Sequence, residues 1–295
     1  MNTEASVDRG FTVPRLARPL VARIAFAGAA LSALAPANAQ SAPAAGVVLR
    51  LHPRVGDTLH TRLEQLTEIT STHPGGGAAK TMTTKVVVLA RTIVQASRQA
   101  TTTVFTVVDS AEVRSSDAHG AAMAAQAEKV LRGQRMVIEL AEDGSVARAR
   151  DARGFAVPRD VSDAMAAMPA VLPRRPIAVG EHWQREMPIP SAGPIGSSGN
   201  AQVRAEFRLD SLSGSGEVAF VSMHGQIASD PGARGVDMSG TMTGAMQIDR
   251  VRGWMTDSFF TLLIRSVVAP AAGTGMQPMR FVTKVTQRLR TMDKR

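Results

Sequence analysis

The fold class is decided by the stretch Val203-Arg204-Ala205-Glu206-Phe207-Arg208-Leu209-Asp210. Its apolar residues occupy the odd positions, and its polar or charged residues occupy the even positions. Successive side chains of a β-strand point to opposite faces of the sheet, so this period of two predicts a strand. The segment is therefore expected to bury one face and to leave the other in solvent.

The same alternation recurs on both sides of this strand. Further strands are predicted at 59–69, 81–95, 101–113, 217–227, 238–248, 254–267 and 280–289. Most of these are longer than the usual 5–6 residues, and long strands twist strongly and tend to curl a sheet. Turn residues such as Asp143-Gly144 favour antiparallel hairpins. The sequence thus predicts a mainly β fold, with long antiparallel strands in one or more curled sheets or a half-barrel.

Two segments predict helices that cover a sheet face. The first is 121–132, in which Met123, Ala127, Val130 and Leu131 form one apolar stripe and Gly133 acts as a terminator. The second is 160–168, which lies between two prolines.

A short motif occurs twice and indicates an internal repeat. Val55-Gly56-Asp57-Thr58-Leu59 is matched by Val179-Gly180-Glu181-His182-Trp183. We therefore expect two related β-rich halves, 47–157 and 174–295, joined by a helical linker at 158–173.

The first forty residues predict an exported protein. Arg15, Arg18 and Arg23 precede an apolar run at 24–35, and small residues then lead to Ala39. A basic region, a short apolar region and a small-residue site are typical of a secretory signal peptide. We expect cleavage between Ala39 and Gln40, a flexible new N-terminus at 40–46, and a periplasmic or secreted protein. The apolar run is shorter than the roughly 20 residues of a permanent helical anchor, and no transmembrane anchor is expected.

Composition narrows the classes of partner and chemistry. The 295 residues include no cysteine, which excludes disulfides, thiolate metal sites and a cysteine nucleophile. The net charge of +9 admits an anionic membrane surface as a partner. Nucleic acid is not expected, because a chain without tyrosine and with only two tryptophans offers few stacking platforms.

The last predicted strand has one charged and one apolar face. Arg280, Lys284 and Arg288 share the charged side. Because this strand is terminal in the sequence, the stripe is interpreted as protection of a sheet edge. Contact with anionic headgroups is the alternative.

The segment 172–183, read as L-P-R-R-P-I-A-V-G-E-H-W, resembles uncharacterised exported bacterial proteins. The second half of those proteins opens with a similar P-V-x-V-G-D-x-W motif, although Glu181 stands where they usually carry aspartate. The closing segment 282–289 is also similar. The resemblance implies an envelope protein and carries no catalytic residue over to this chain.

No catalytic, metal or cofactor motif is found. The six histidines never recur at ligand spacing, and phosphate-binding and calcium-binding loops are absent from the sequence. Asp57 and Glu181 occupy matching positions of the repeat and would be the only candidate carboxylate pair. The simpler interpretation is that each accepts backbone N–H groups where a strand begins.

One strand carries an unusual surface of alternating methionine and glycine. It consists of Met238, Gly240, Met242, Gly244 and Met246. Methionine is flexible and glycine leaves space, so this face suits either an ordinary core, a cavity for an apolar ligand, or soft cuprous-ion ligands. Trp183 and Trp254 are interpreted as packing residues at strand starts, with contact to the same ligand as the alternative.

The function predicted from these features is a non-catalytic binding protein of the cell envelope. Its ligand would be apolar or lipid-like and would contact the methionine and glycine face, Trp183 and Trp254. Two alternatives stay open at this point: a structural or protein-interaction module of the envelope, and a hydrolase with spatially assembled carboxylates.

Overall fold

The computed structural model describes residues 46–72, 78–153, 171–188, 201–229, 236–268 and 277–292. The predicted signal peptide, its cleavage site and the predicted helix at 160–168 lie outside these residues. The described residues form one compact unit.

The described residues form eleven strands and one helix in a single antiparallel sheet. The strands are β1 (Thr58–Thr72), β2 (Lys80–Arg98), β3 (Thr101–Ser115), β4 (Arg135–Ala141), β5 (Val146–Asp151), β6 (His182–Pro188), β7 (Ala201–Leu212), β8 (Val218–Ser229), β9 (Val236–Asp249), β10 (Trp254–Val268) and β11 (Met279–Met292). The helix α1 (Ala118–Leu131) follows β3. The predicted mainly β, antiparallel fold is confirmed.

Strand order differs from sequence order at one point, in the middle of the sheet. The order is β5-β4-β3-β2-β1-β11-β10-β9-β8-β7-β6, so β11 lies between β1 and β10. The interpretation of its charged stripe as edge protection is therefore wrong. On the central strand, Lys284 pairs with Glu68 at 3.6 Å and Arg288 pairs with Asp257 at 2.7 Å.

The sheet curls so far that its two ends are bridged by a short segment. Laid flat, the β4–β5 turn and β6 would lie roughly 45 Å apart at the usual strand spacing. Residues 171–174, which span at most about 14 Å, contact both. The Leu172 N–H donates to the Asp143 carbonyl at 3.0 Å, while Trp183 Nε1 of β6 donates to the Val171 carbonyl at 2.8 Å.

The repeated V-G-[D/E] motif folds in the same way in both halves. Gly56 and Gly180 have φ angles of 91° and 86°, a region that favours glycine. The Gly56 N–H donates to the Val94 carbonyl of β2 at 2.9 Å, and the Gly180 N–H donates to the Leu209 carbonyl of β7 at 2.7 Å. The motif thus starts β1 against β2 and β6 against β7 in the same register.

The helix α1 is present, but its predicted apolar stripe does not face the sheet. Met123 and Val130 are 68% and 61% exposed, whereas Ala124 is buried. The stripe that faces β3 is Ala124, Glu128 and Arg132, because β4 pairs with β3 only as far as Val107. Beyond that point Glu128 accepts from the Val113 N–H at 3.3 Å, and α1 thereby covers the free edge of β3.

Capping explains where α1 begins. Asp117 accepts the Gly120 N–H at 3.2 Å, so the helix starts three residues before the predicted 121. Among the described residues, no helix is long and apolar enough to cross a membrane.

The core lies on one face of the sheet, which we call the inner face. In β7 the odd-numbered residues from Ala201 to Leu209 are buried and the even-numbered residues are exposed, as the alternation predicts. The core also includes Leu49, Leu172 and Ile177, which precede β1 and β6 and cover this end of the sheet.

Candidate functional site

The inner face of the central strands is uncharged and combines apolar with polar side chains. Strand register places the odd residues of β1 and β11 and the even residues of β10 from Ser258 onward on this face. From Leu59 to Ser71, from Ser258 to Val268 and from Met279 to Thr291, none of these inner residues is charged. The opposite, outer face of the same strands carries the ion pairs of Lys284 and Arg288.

The inner face is filled unevenly. At β6–β9 its side chains form the buried core, with Phe207 and Leu209 at 1% and 0% exposure. In the middle of the sheet the apolar inner residues are only half-buried, whereas Leu59, Val94, Val104, Val108 and Ala111 of β1–β3 are buried again. We call this half-buried region the inner trough; its residues are Leu63, Val88, Leu262, Ile264, Val285 and Leu289.

Cross-strand pairing divides the inner trough into two apolar groups, between which Gln65 lies opposite Gln287. Leu63 lies opposite Leu289 on one side and Val88 on the other, and Leu262 lies opposite Val285. Uncharged polar residues, including Gln65 and Gln287, alternate with them on the same face. The inner face therefore offers apolar side chains together with uncharged hydroxyl and amide groups.

The predicted methionine face borders the inner trough. Met242 and Met246 are buried in the core, and Met238 is half-buried and packs against it. Met238 lies opposite Ser266, and Met242 lies opposite Leu262 of the inner trough. The predicted residues are thus one strand away from the half-buried surface.

Gly240 and Gly244 allow β9 to lie close to the backbone of β10. A Cβ added at Gly240 would overlap the Leu263 carbonyl oxygen, and one at Gly244 would overlap the Phe259 carbonyl oxygen. The expected space above these glycines is therefore occupied by the β10 backbone, which is a common reason for glycine within a strand.

The two tryptophans have different surroundings. Trp183 is 7% exposed and stacks on Phe207 with ring centres 5.5 Å apart. Trp254 begins β10, and its buried Nε1 has no hydrogen-bond partner within the described part of the chain.

Two further inner-face hydroxyls lack partners in the described structure, and sequence reasoning missed them. They are Ser266 Oγ on β10 and Thr283 Oγ1 on β11. In the sequence, Ser266 follows three apolar residues of the same strand face, Phe260, Leu262 and Ile264. This pattern was hard to recognise because β10 also has apolar residues on its outer face.

A polar groove of about 670 Å³ crosses the outer face of β6–β9. Its side chains include Gln184, Glu186, Arg204, Glu206 and His224. Arg204 pairs with Glu186 at 3.0 Å, and Glu206 accepts from His182 Nδ1 at 2.9 Å.

The pKa of Glu206 lies below its usual value, mainly because His182 hydrogen-bonds its carboxylate; Gln184 and the charge of His224 add to the effect. The Glu206 carboxylate therefore stays charged below the ordinary carboxyl pKa, and its pairing is lost only as the pH falls through the lowered pKa. Across the described ranges, no group of three or more histidine, aspartate or glutamate side chains could hold a metal ion.

Asp57 and Glu181 each close their own turn. Asp57 Oδ2 accepts the Arg54 N–H at 3.2 Å, and Glu181 Oε2 accepts the Ala178 N–H at 2.8 Å. Hydrogen bonds from Arg175 and from the Ala178 N–H hold the pKa of Glu181 below its usual value. Both carboxylates therefore have a local structural role as backbone acceptors.

Two solved structures align with most of the chain at low identity. One is DynF from the dynemicin biosynthesis pathway of Micromonospora chersina, with 10% identity, a TM-score of 0.23, and coverage of 86% of this chain and 88% of DynF. The other is an outer membrane channel from Pseudomonas putida F1, with 12% identity, a TM-score of 0.26, and coverage of 82% and 97%. No curated protein matches the sequence.

The family comparison matches part of the chain. Residues 158–255 are similar to a family of unknown function, DUF6263. This region contains the proline-flanked V-G-E-x-W motif, and the predicted resemblance to uncharacterised proteins is confirmed at that level.

Proposed function

We propose that this chain is a non-catalytic binding protein that holds an elongated apolar or lipid-like ligand against the inner trough. The observation that carries the proposal is the half-burial of Leu63, Val88, Leu262, Val285 and Leu289 on an uncharged face. Burying such side chains against a ligand stabilises the complex by about 25 cal/mol for each Å² of apolar surface removed from water.

The packing of the described elements supports the proposal. Each central strand contacts its two neighbours, and α1 packs against β3, so the described elements leave the inner faces of β1, β10 and β11 without a second layer. Leu262 and Ile264 pack against the neighbouring core, and the half-buried surface extends from them toward β11 and β1.

The cellular setting belongs to the same proposal. The basic and apolar segments before Ala39 support export to the periplasm or the medium. There a protein with an uncharged apolar trough would hold lipid-like molecules apart from water.

Displacement of a fluorescent probe tests the proposal. N-phenyl-1-naphthylamine brightens in apolar surroundings and is expected to bind the purified protein saturably. Leu262→Gln should weaken its binding about tenfold, because it removes apolar contact area in the inner trough. The milder variant Val285→Thr keeps shape and strand propensity, and should weaken binding in the same direction.

Leu263→Gln is the matched control. Leu263 is the next residue of β10, is also half-buried, and points to the outer face. It should leave probe binding unchanged, with circular dichroism confirming that all variants keep the β fold. Absence of saturable binding, or equal losses in the folded Leu262→Gln and Leu263→Gln variants, would contradict the proposal.

A further inference from the structure

Two buried hydroxyls on the inner face have no hydrogen-bond partner within the described structure. Ser266 is 2% exposed, and its Oγ is unpaired. Thr283 Oγ1 is also inaccessible and unpaired. Since Ser266 lies opposite Phe281 and Thr283 lies opposite Ile264, the two hydroxyls are diagonal neighbours on adjacent strands.

Unpaired buried hydroxyls destabilise a folded protein, and native structures satisfy most of them with protein, water or ligand. Ser266 lies between Met238 of β9 and Phe281 of β11, neither of which can pair its hydroxyl. On β1, the Ser71 hydroxyl is a diagonal neighbour of Thr283, and it donates to the Lys80 carbonyl at 3.4 Å. Hydroxyls in such surroundings suit the polar group of a molecule whose remainder is apolar.

The few charged residues near the inner face limit which polar group the ligand can carry. Lys80, at the start of β2, lies 3.7 Å from Asp117. Arg185 of β6 donates to the Leu172 carbonyl at 2.6 Å. The inner residues of β1, β10 and β11 provide no cation that could compensate a buried carboxylate or phosphate, and an uncompensated buried charge is strongly unfavourable.

We infer that the ligand is an uncharged amphiphile whose hydroxyl, ester or amide group hydrogen-bonds Ser266 and Thr283 once the flanking side chains of Met238 and Phe281 move aside. This inference rests on the proposed function, because it assigns the polar end of the same ligand. From Ser266 the inner face of β10 continues through Ile264 and Leu262 to Phe260, about 20 Å along the strand. That length accommodates a long alkyl chain.

Three compounds with the same chain length test the inference. Oleyl alcohol, oleate and 1-octadecene compete for the N-phenyl-1-naphthylamine site of the purified protein at pH 8. Oleyl alcohol should bind at least about tenfold more tightly than oleate and about three- to tenfold more tightly than 1-octadecene, because only the alcohol pairs the hydroxyls without burying a charge.

Isosteric variants separate the hydrogen bonds from the apolar contact. Ser266→Ala and Thr283→Val should each weaken oleyl alcohol about three- to tenfold and leave 1-octadecene unchanged. Thr286→Val, on the outer face of the same strand β11, is the control and should alter neither.

The outcomes separate this inference from the proposed function. If oleate binds as tightly as the alcohol, or if both hydroxyl variants leave alcohol binding unchanged, the inference is overturned while the inner trough remains the ligand site. If none of the three compounds displaces the probe, both fail.

Discussion

Gly225, Gly240 and Gly244 lie where the neighbouring strands leave no room for a Cβ atom. A Cβ at Gly225 would lie 2.9 Å from Val203 Cγ1 of β7 and 3.3 Å from Met242 Cβ of β9. Because Gly225 has no Cβ, the side chains of Val203 on β7 and Met242 on β9 can both lie close to it on the inner face of β8. Glycine at these positions therefore permits the curl of the sheet.

Replacing Gly244 by alanine should destabilise the fold. The added methyl group would overlap the Phe259 carbonyl, and relief of this overlap requires a shift of the β10 backbone. We expect a loss of about 1–3 kcal/mol in the free energy of unfolding, as for overpacked sites, measured by urea denaturation. The exposed neighbour provides the control: Ala245→Ser should change stability by less than about 0.5 kcal/mol. A Gly244→Ala variant as stable as the parent would show that β9 and β10 leave room for a methyl group at this position.

Asp143 contacts the segment that bridges the two ends of the sheet. We expect its contact with Arg174 to be sensitive to acid. Burial raises the pKa of its carboxyl, but hydrogen bonds from Ser145 and from the Arg174 guanidinium outweigh this and hold the pKa below its ordinary value of 3.8. A carboxyl with a lowered pKa stabilises the fold above its unfolded-state pKa, and this contribution is lost as the pH falls through the folded-state pKa.

Asp143→Asn should therefore be less stable than the parent at neutral pH, and the difference should shrink below pH 3.8. Urea unfolding between pH 7 and pH 2 measures it. A difference between the two proteins that stays constant down to pH 2 would contradict this role of the carboxylate.

The strands were the elements that the sequence predicted best. The predicted strand 238–248 is β9 (Val236–Asp249), and 254–267 is β10 (Trp254–Val268). Alternation is a local property, so it can be recognised in one segment. Partner choice is not local, and the position of β11 between β1 and β10 followed from no pattern within β11.

The orientation of α1 was mispredicted for a related reason. Met123 and Val130 form an apolar stripe, but the surface beside α1 is a strand edge with free backbone groups. Small and polar residues, Ala124, Glu128 and Arg132, suit that edge better than large apolar ones.

Paired substitutions in α1 test this orientation. Ala124→Leu should cost about 1–3 kcal/mol, because Ala124 is buried against β3. Met123→Ser, at an exposed position, should cost less than about 0.5 kcal/mol. Thermal unfolding of both variants measures the difference, and the reverse order would mean that the predicted stripe faces the sheet after all.

The whole sheet combines a filled end and a half-filled middle. Leu49, Leu172 and Ile177 come from segments outside the strands and complete the core beside β6–β9. Of the central strands, β10 packs Phe260, Leu262 and Ile264 against this core. Alternation indicated an apolar inner face, but only the fold shows which part of that face is left half-buried.

The methionine and glycine residues illustrate the limit of the sequence for the site. Their composition indicated an adaptable surface, and Met242 does border the inner trough through Leu262. Met242 and Met246 are core residues, and the trough is built mainly from leucine and valine of β1, β2, β10 and β11. Those residues look like ordinary strand interiors in the sequence, so their incomplete burial could not be foreseen.

Native mass spectrometry of the protein purified from its own cells tests the central claim most directly, namely that the inner trough holds an apolar ligand. The parent protein should carry a single non-covalent adduct that solvent extraction identifies as a lipid-like molecule. The folded Leu262→Gln variant should have lost most of this adduct, and the Leu263→Gln control should retain it. A parent protein whose mass equals that of the bare polypeptide, under conditions that preserve non-covalent complexes, would contradict the claim.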